Sequence, residues 1–125
     1  MLSEFVVIDD DEADQIIAER AIRSYNPDSV IHRCRDGIEA LERLATLAAP
    51  PDLIFLDINM PRMNGHDFLQ AYSAQAYSAP TVVMLTSSNQ AKDRERASAY
   101  ACVIEYLEKP LEVEDCVRLE MRLSE

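Results

Sequence analysis

Five short runs of aliphatic and β-branched residues recur along the chain: FVVI (5–8), SVIHRC (29–34), LIFL (53–56), TVVML (81–85) and VIEYL (103–107). Longer stretches with apolar residues at helical spacing separate them. Runs this short, bounded by turn formers, have strand length, and their alternation with helices predicts βα units around a parallel sheet. The first, third and fourth runs are apolar on both faces, as central parallel strands are. The second and fifth mix polar with apolar positions and suit the sheet edges.

Between the strands, Ala13, Ile16, Ile17, Ala21 and Ile22 make one helical stripe, and Ile38, Leu41, Leu44 and Leu47 make another. The turn RDG opens the second helix and APPD stops it. Residues 66–78 read as a third helix ended by Pro80, NQAKDRERASAYA (89–101) as a polar fourth, and 112–123 as a fifth. No linker, repeat or low-complexity segment is left over. One α/β domain over 3–124, without an output domain, is the expected organisation.

A chain of 125 residues can bury roughly two-thirds of its unfolded surface, so packing alone can hold it. With 23 Asp and Glu against 12 Lys and Arg, the formal charge is −11. Phosphate backbones and anionic membranes should repel such a molecule, which argues against nucleic acid or a membrane as direct partner. Cys34, Cys102 and Cys116 form no C-x-x-C pair and are odd in number, which fits reduced cytosolic thiols. The N-terminal MLSEFVVIDDD is interrupted by acid too early for a signal peptide, so the expected location is cytoplasmic.

Candidate chemistry collects where an open α/β sheet places its ligand crevice, at the carboxyl ends of the strands. Strand one ends at Asp9 and Asp10, strand three at Asp57, strand four at Thr86, and strand five runs into Lys109-Pro110. Two carboxylates about 4 Å apart repel by on the order of 4 kcal/mol at an effective dielectric near 20, so a cation has to neutralise the cluster. An all-oxygen set suits Mg²⁺, and Lys109 adds a second positive charge. Such a rim fits phosphoryl transfer, where positioning and charge neutralisation dominate. Asp57, alone at the end of its strand, is the candidate acceptor.

The segments VVIDDDEAD, LIFLDINMPRMNG, VVMLTSS and YLEKPL, in this order and at these separations, resemble the signature segments of response regulator receiver domains. The resemblance implies a flavodoxin-like, doubly wound (βα)5 fold with strand order 2-1-3-4-5. It implies that Asp57 is phosphorylated by a sensor histidine kinase or a histidine phosphotransfer protein. Asp9, Asp10, Asp57 and the backbone carbonyl of Asn59 would hold Mg²⁺. Thr86 and Lys109 would meet the phosphoryl group, with Lys109-Pro110 a cis peptide, and Tyr106 would swing inward on activation. On the family pattern Asp11 opens the first helix as a cap or a first-turn acid, outside the site. Met60, Pro61 and Gly65 shape the loop after Asp57, Gly65 through a backbone conformation that other residues avoid. Signalling is expected through the face made by helix four, strand five and helix five, which also offers a phosphorylation-dependent homodimer contact. Ser88 is small and should leave water access to an acyl phosphate.

Before the fifth strand the chain reads AYACVIEYLEKP, with Cys102, Val103 and Glu105 where the family often has glycine or alanine, so a less sharp turn is expected there. His32 and His66 are read as surface or packing residues. A haloacid-dehalogenase-like phosphatase is the competing enzyme reading, with Asp9 as nucleophile and Asp11 as acid, but it leaves DINMPRMNG without a role. A pseudo-receiver that only binds partners is opposed by the complete set of Asp10, Asp57, Thr86 and Lys109.

Overall fold

The computed structural model describes residues 1–75, 81–88 and 90–124. Ten elements alternate: β1 (Glu4–Ile8), α1 (Glu12–Tyr25), β2 (Val30–Cys34), α2 (Gly37–Thr46), β3 (Leu53–Leu56), α3 (Gly65–Ser73), β4 (Val82–Thr86), α4 (Ala91–Ser98), β5 (Val103–Glu108) and α5 (Val113–Leu123). The strands form one parallel sheet in the order β2-β1-β3-β4-β5. This is the flavodoxin-like arrangement expected from the sequence. The three runs that are apolar on both faces are the central strands, and every residue of β3 and β4 is buried. The sheet divides the core in two. Val6, Ile8, Ile54, Leu56 and Met84 face α2, α3 and Phe68, while Phe5, Val7, Phe55 and Leu85 face α1, α5 and Leu119.

The stripe read on α1 is rotated from the face that packs. Gln15, Ala18, Ala21, Ile22 and Tyr25 are buried, whereas Ala13 and Ile17 are exposed and Ile16 only half-buried. The cause is polar. The Gln15 side-chain amide donates to the carbonyls of Asp9 (2.6 Å) and Cys34 (3.0 Å). A buried amide with two acceptors is well satisfied, so Gln15 fixes the helix face at the ends of β1 and β2. On α2 the inward positions are Gly37, Ala40 and Leu44; Leu41 and Leu47 are partly covered, and Leu47 lies just beyond the helix.

Helix starts follow their acids. Asp11 accepts from the amides of Ala13 and Asp14, Asp36 from Glu39, and Asn64 forms a capping box with Asp67. The helical part of α3 ends at Ser73, well short of residue 78; residues 76–80, Pro80 among them, lie outside the described residues, as does Asn89. α4 is also shorter than 89–101. The turn into β5 is tight rather than relaxed: Tyr100 N–H bonds to Ala97 O and Val103 N–H to Tyr100 O. The irregularity falls instead in the β4–β5 pairing, which shifts register between Val82 and Val83. No described helix is long and apolar enough to cross a membrane. All three cysteines are buried and free, and burial pushes the Cys34 and Cys116 thiols up to about 12. Their thiolates are therefore scarce at neutral pH.

Candidate functional site

The carboxyl ends of β1, β3, β4 and β5 meet at one rim. Backbone hydrogen bonds lock them in step: Asp9 N–H to Cys34 O, Asp57 N–H to Ile8 O, and Lys109 N–H to Thr86 O. Asp9, Asp10 and Asp57 each bring a carboxylate oxygen within 4.8 Å of the others. Asp9 and Asp57 are buried and Asp10 is exposed. Two buried carboxylates and one exposed carboxylate make an all-oxygen donor set that would suit a small hard cation such as Mg²⁺. Asn59 lies exposed two residues past Asp57.

Lys109 enters this cluster from the end of β5. Its ammonium lies 2.7 Å from Asp9 Oδ2, 2.9 Å from Asp14 Oδ2 and 3.1 Å from Asp57 Oδ2. Burial works against the charge on Lys109, but hydrogen bonds to Asp9 and Asp14 and the nearby Asp57 outweigh it and hold its pKa above the ordinary lysine range. For Asp9, burial is the largest influence and raises its pKa, with the Lys109 contact and the Asp11 amide pulling the other way. The second oxygen of Asp57, Oδ1, accepts from the Ile58 amide at 2.8 Å. Both oxygens of Asp57 are thus oriented before any substrate arrives.

The loop after Asp57 is shaped by close approach. Gly65 does not have a positive φ. It is required because a Cβ there would lie 2.4 Å from the carbonyl oxygen of Asp57 and 2.9 Å from the Ile58 Cα. The left-handed residue of this loop is Arg62, at φ 61°. Its guanidinium bonds to the Asp36 carboxylate at 2.7 Å, tying the loop to the start of α2. Met60 and Met63 pack against the core beneath it.

Thr86 is fully buried at the end of β4, and its hydroxyl accepts from the Ser88 amide at 3.2 Å. Ser88 gathers four contacts, its hydroxyl oxygen also accepting from the Gln90 amide at 3.4 Å. Besides its amide, its hydroxyl donates to Asp93 (2.7 Å) and its carbonyl accepts from Tyr106 (3.0 Å). Asp93 also meets His66 Nε2 at 3.2 Å, and His66 is buried, a packing residue as read from the sequence. Tyr106 is half-buried, with Arg94 of α4 4.8 Å over its ring. His32 pairs with Glu4 at the β2 edge, away from the rim. Asp11 caps α1 and stands outside the carboxylate cluster.

Sequence reasoning therefore named the residues that converge, and missed two that support them. Gln15 and Asp14 sit in the first turns of α1, inside the segment VVIDDDEADQ. Little in the sequence points to Gln15, whose helical neighbours Asp11, Glu12 and Glu19 are acidic. Nothing in the spacing marks Asp14, whose partner lies 95 residues away.

Residues 5–119 match the response regulator receiver domain family, and the chain belongs to that family. It is 31% identical over 84% of its length to a protein-glutamate methylesterase/protein-glutamine glutaminase of Myxococcus xanthus, of which it spans 29%. A two-component response regulator from Cytophaga hutchinsonii is similar in structure, with a TM-score of 0.85 and 27% identity over 99% of this chain and 98% of that one. The bacteriophytochrome response regulator RtBRR is also similar, with a TM-score of 0.80 and 30% identity over 98% of this chain and 78% of that one. The chain spans between 29 and 62% of the lengths of the first three curated relatives it matches.

Proposed function

We propose that this protein is the phosphoacceptor of a two-component phosphorelay, taking a phosphoryl group on Asp57 and signalling by protein–protein contact. The observation that carries this reading is the pairing of Asp57 with Lys109 inside the carboxylate cluster at the strand ends. A sensor histidine kinase or a histidine phosphotransfer protein supplies the phosphoryl group. An Asp57 oxygen attacks phosphorus, the P–N bond of the phosphohistidine breaks, and an acyl phosphate forms. The leaving imidazole keeps the bonding pair and takes a proton from water.

Asp9, Asp10, Asp57 and the carbonyl of Asn59 would hold Mg²⁺, which neutralises charge on the phosphoryl oxygens. Lys109 then pairs with a phosphoryl oxygen as it now pairs with Asp57, and the Thr86 hydroxyl turns to another. Hydrolysis reverses the state, as water attacks phosphorus and frees the carboxylate. We place the protein in the cytoplasm, where its buried thiols stay reduced. The output face is that of α4, β5 and α5, open to a kinase, a target or a second copy.

Incubation with acetyl phosphate and Mg²⁺, followed by intact-mass measurement, tests the assignment. Wild type should gain one phosphoryl group and Asp57→Asn none. Undiminished labelling of Asp57→Asn overturns it.

A further inference from the structure

We infer that Asp14 is a positioning residue for Lys109, keeping the ammonium in the site while releasing Asp9 and Asp57 to a divalent cation. The inference rests on the reading that the Asp9, Asp10 and Asp57 cluster takes Mg²⁺.

An ammonium has three N–H donors. In this structure all three carboxylates within reach of Lys109 are at hydrogen-bond distance, and two of them, Asp9 and Asp57, belong to the cation cluster. Lysine and cation therefore compete for the charge of the same two carboxylates. If the cation wins, Lys109 loses up to two partners while only 14% of its side chain is exposed, and it stands beside a dication. A nearly buried ammonium without a partner is costly. Asp14 is the carboxylate that remains: it contacts Lys109 but is not among the three acids that can share an ion.

The local fold holds Asp14 in that place. It is the third residue of α1, where its amide donates to the Asp11 cap at 3.2 Å. Its neighbour Gln15 fastens the same turn to the carbonyls of Asp9 and Cys34. The helix start is thus bound to the end of β1, and the Asp14 carboxylate reaches the end of β5 from a fixed base. About a third of its side chain is exposed, so the carboxylate meets water as well as Lys109.

Without Asp14, Lys109 would bind Asp9 and Asp57 alone and resist the cation. The effect runs through Lys109, which separates it from a simple loss of negative charge near the ion. The test is Mg²⁺ titration followed by the NMR shift of the Ile58 amide, in wild type, Asp14→Asn, Lys109→Met and the double variant. Asp14→Ala serves as a second substitution at the same position. Asp14→Asn and Asp14→Ala should each weaken Mg²⁺ binding roughly threefold or more, the scale of one partly exposed charge pair. In the Lys109→Met background the same change should shift affinity by less than half that factor in logarithmic terms. Equal losses in both backgrounds, or no loss in either Asp14 variant, overturn the inference while leaving the proposed function standing. A wild type that binds no Mg²⁺ overturns both.

Discussion

The phenolic hydroxyl of Tyr106 donates to the carbonyl oxygen of Ser88 at 3.0 Å, joining β5 to the loop that follows Thr86. Both residues are half-buried, so water can replace the hydroxyl in part. Tyr106→Phe should therefore cost about 0.5–1 kcal/mol, the lower part of the range for a single net hydrogen bond. Urea unfolding checks this: the midpoint should fall with an unchanged slope. A midpoint equal to wild type shows that water replaces the bond fully.

The two glycines should respond unequally to a methyl group. At Gly65 the added Cβ meets backbone, the Asp57 oxygen at 2.4 Å, which cannot move without displacing the acceptor itself. At Gly37 it meets the Met63 side chain, Cγ at 2.6 Å and Sδ at 2.7 Å, which can give way by rotating. Gly65→Ala should cost about 2–3 kcal/mol and Gly37→Ala about 1 kcal/mol or less, spanning the range for overpacked sites. Thermal unfolding of the pair gives the order directly, and a smaller loss for Gly65→Ala than for Gly37→Ala would contradict it.

Replacing Lys109 leaves Asp9 and Asp57 buried side by side. Lys109→Met should destabilise the metal-free protein by about 3 kcal/mol near neutral pH, as expected when one partner of a buried ion pair is removed. Burial already pushes the Asp9 pKa upward, and loss of the ammonium pushes it further. The folded variant then holds a proton that the unfolded chain releases above about pH 4, so its stability should fall as pH rises toward 8. Mg²⁺ should restore more stability to this variant than to wild type. Urea midpoints at pH 5 and pH 8, with and without Mg²⁺, provide the comparison.

How legible the molecule was in its sequence depended on whether burial was apolar. The central strands carry Val, Ile, Leu and Phe on both faces, which is a pattern only a covered sheet explains, and it separated centre from edge; the strand order came from the family resemblance alone. The rim was legible for a related reason, since Asp9, Asp57, Thr86 and Lys109 each end or follow such a run. Helix faces were less so, because a buried Gln15 satisfied by two carbonyls rotated α1 away from its most apolar stripe. Gly65 was found, but through the wrong cause: its value is the space it leaves beside Asp57. Asp14 and the contacts gathered by Ser88 depend on which side chains meet across the fold, and one-dimensional spacing carries no trace of them.

The Arg62–Asp36 bridge should give the acid limb of stability one of its components. Burial alone would raise the Asp36 pKa, but the hydrogen bonds from Arg62 and the Glu39 amide outweigh it and hold the carboxyl below its ordinary value. A folded pKa below the unfolded one gives stability that is present above about pH 4 and is lost as pH falls through the lowered value. Arg62→Ala should therefore narrow the difference in urea midpoint between pH 6 and pH 3 relative to wild type. A variant whose midpoint falls as steeply as wild type would remove Asp36 as a contributor.

Phosphorylation should be felt at Tyr106 through Thr86 and Ser88. In this structure the Thr86 hydroxyl is occupied by the Ser88 amide at 3.2 Å, while the Ser88 carbonyl holds Tyr106 and its hydroxyl holds Asp93 on α4. A phosphoryl group on Asp57 that attracts the Thr86 hydroxyl breaks the first of these contacts and loosens the loop that carries the other two. It shifts the balance between conformations by binding one of them better, which is the only way a bound group can shift it. The face of α4 and β5 would then change where Arg94 covers Tyr106. Beryllofluoride with Mg²⁺, as a mimic of the phosphoryl group, should move the amide resonances of Ser88 and Arg94 in wild type and strengthen self-association or kinase release. In Thr86→Ala the mimic should still bind at Asp57, seen as the same shift at Ile58, while the response at Arg94 shrinks by at least half. An undiminished Arg94 response in Thr86→Ala would show that the signal leaves the site by another route, with Asp57 still its origin.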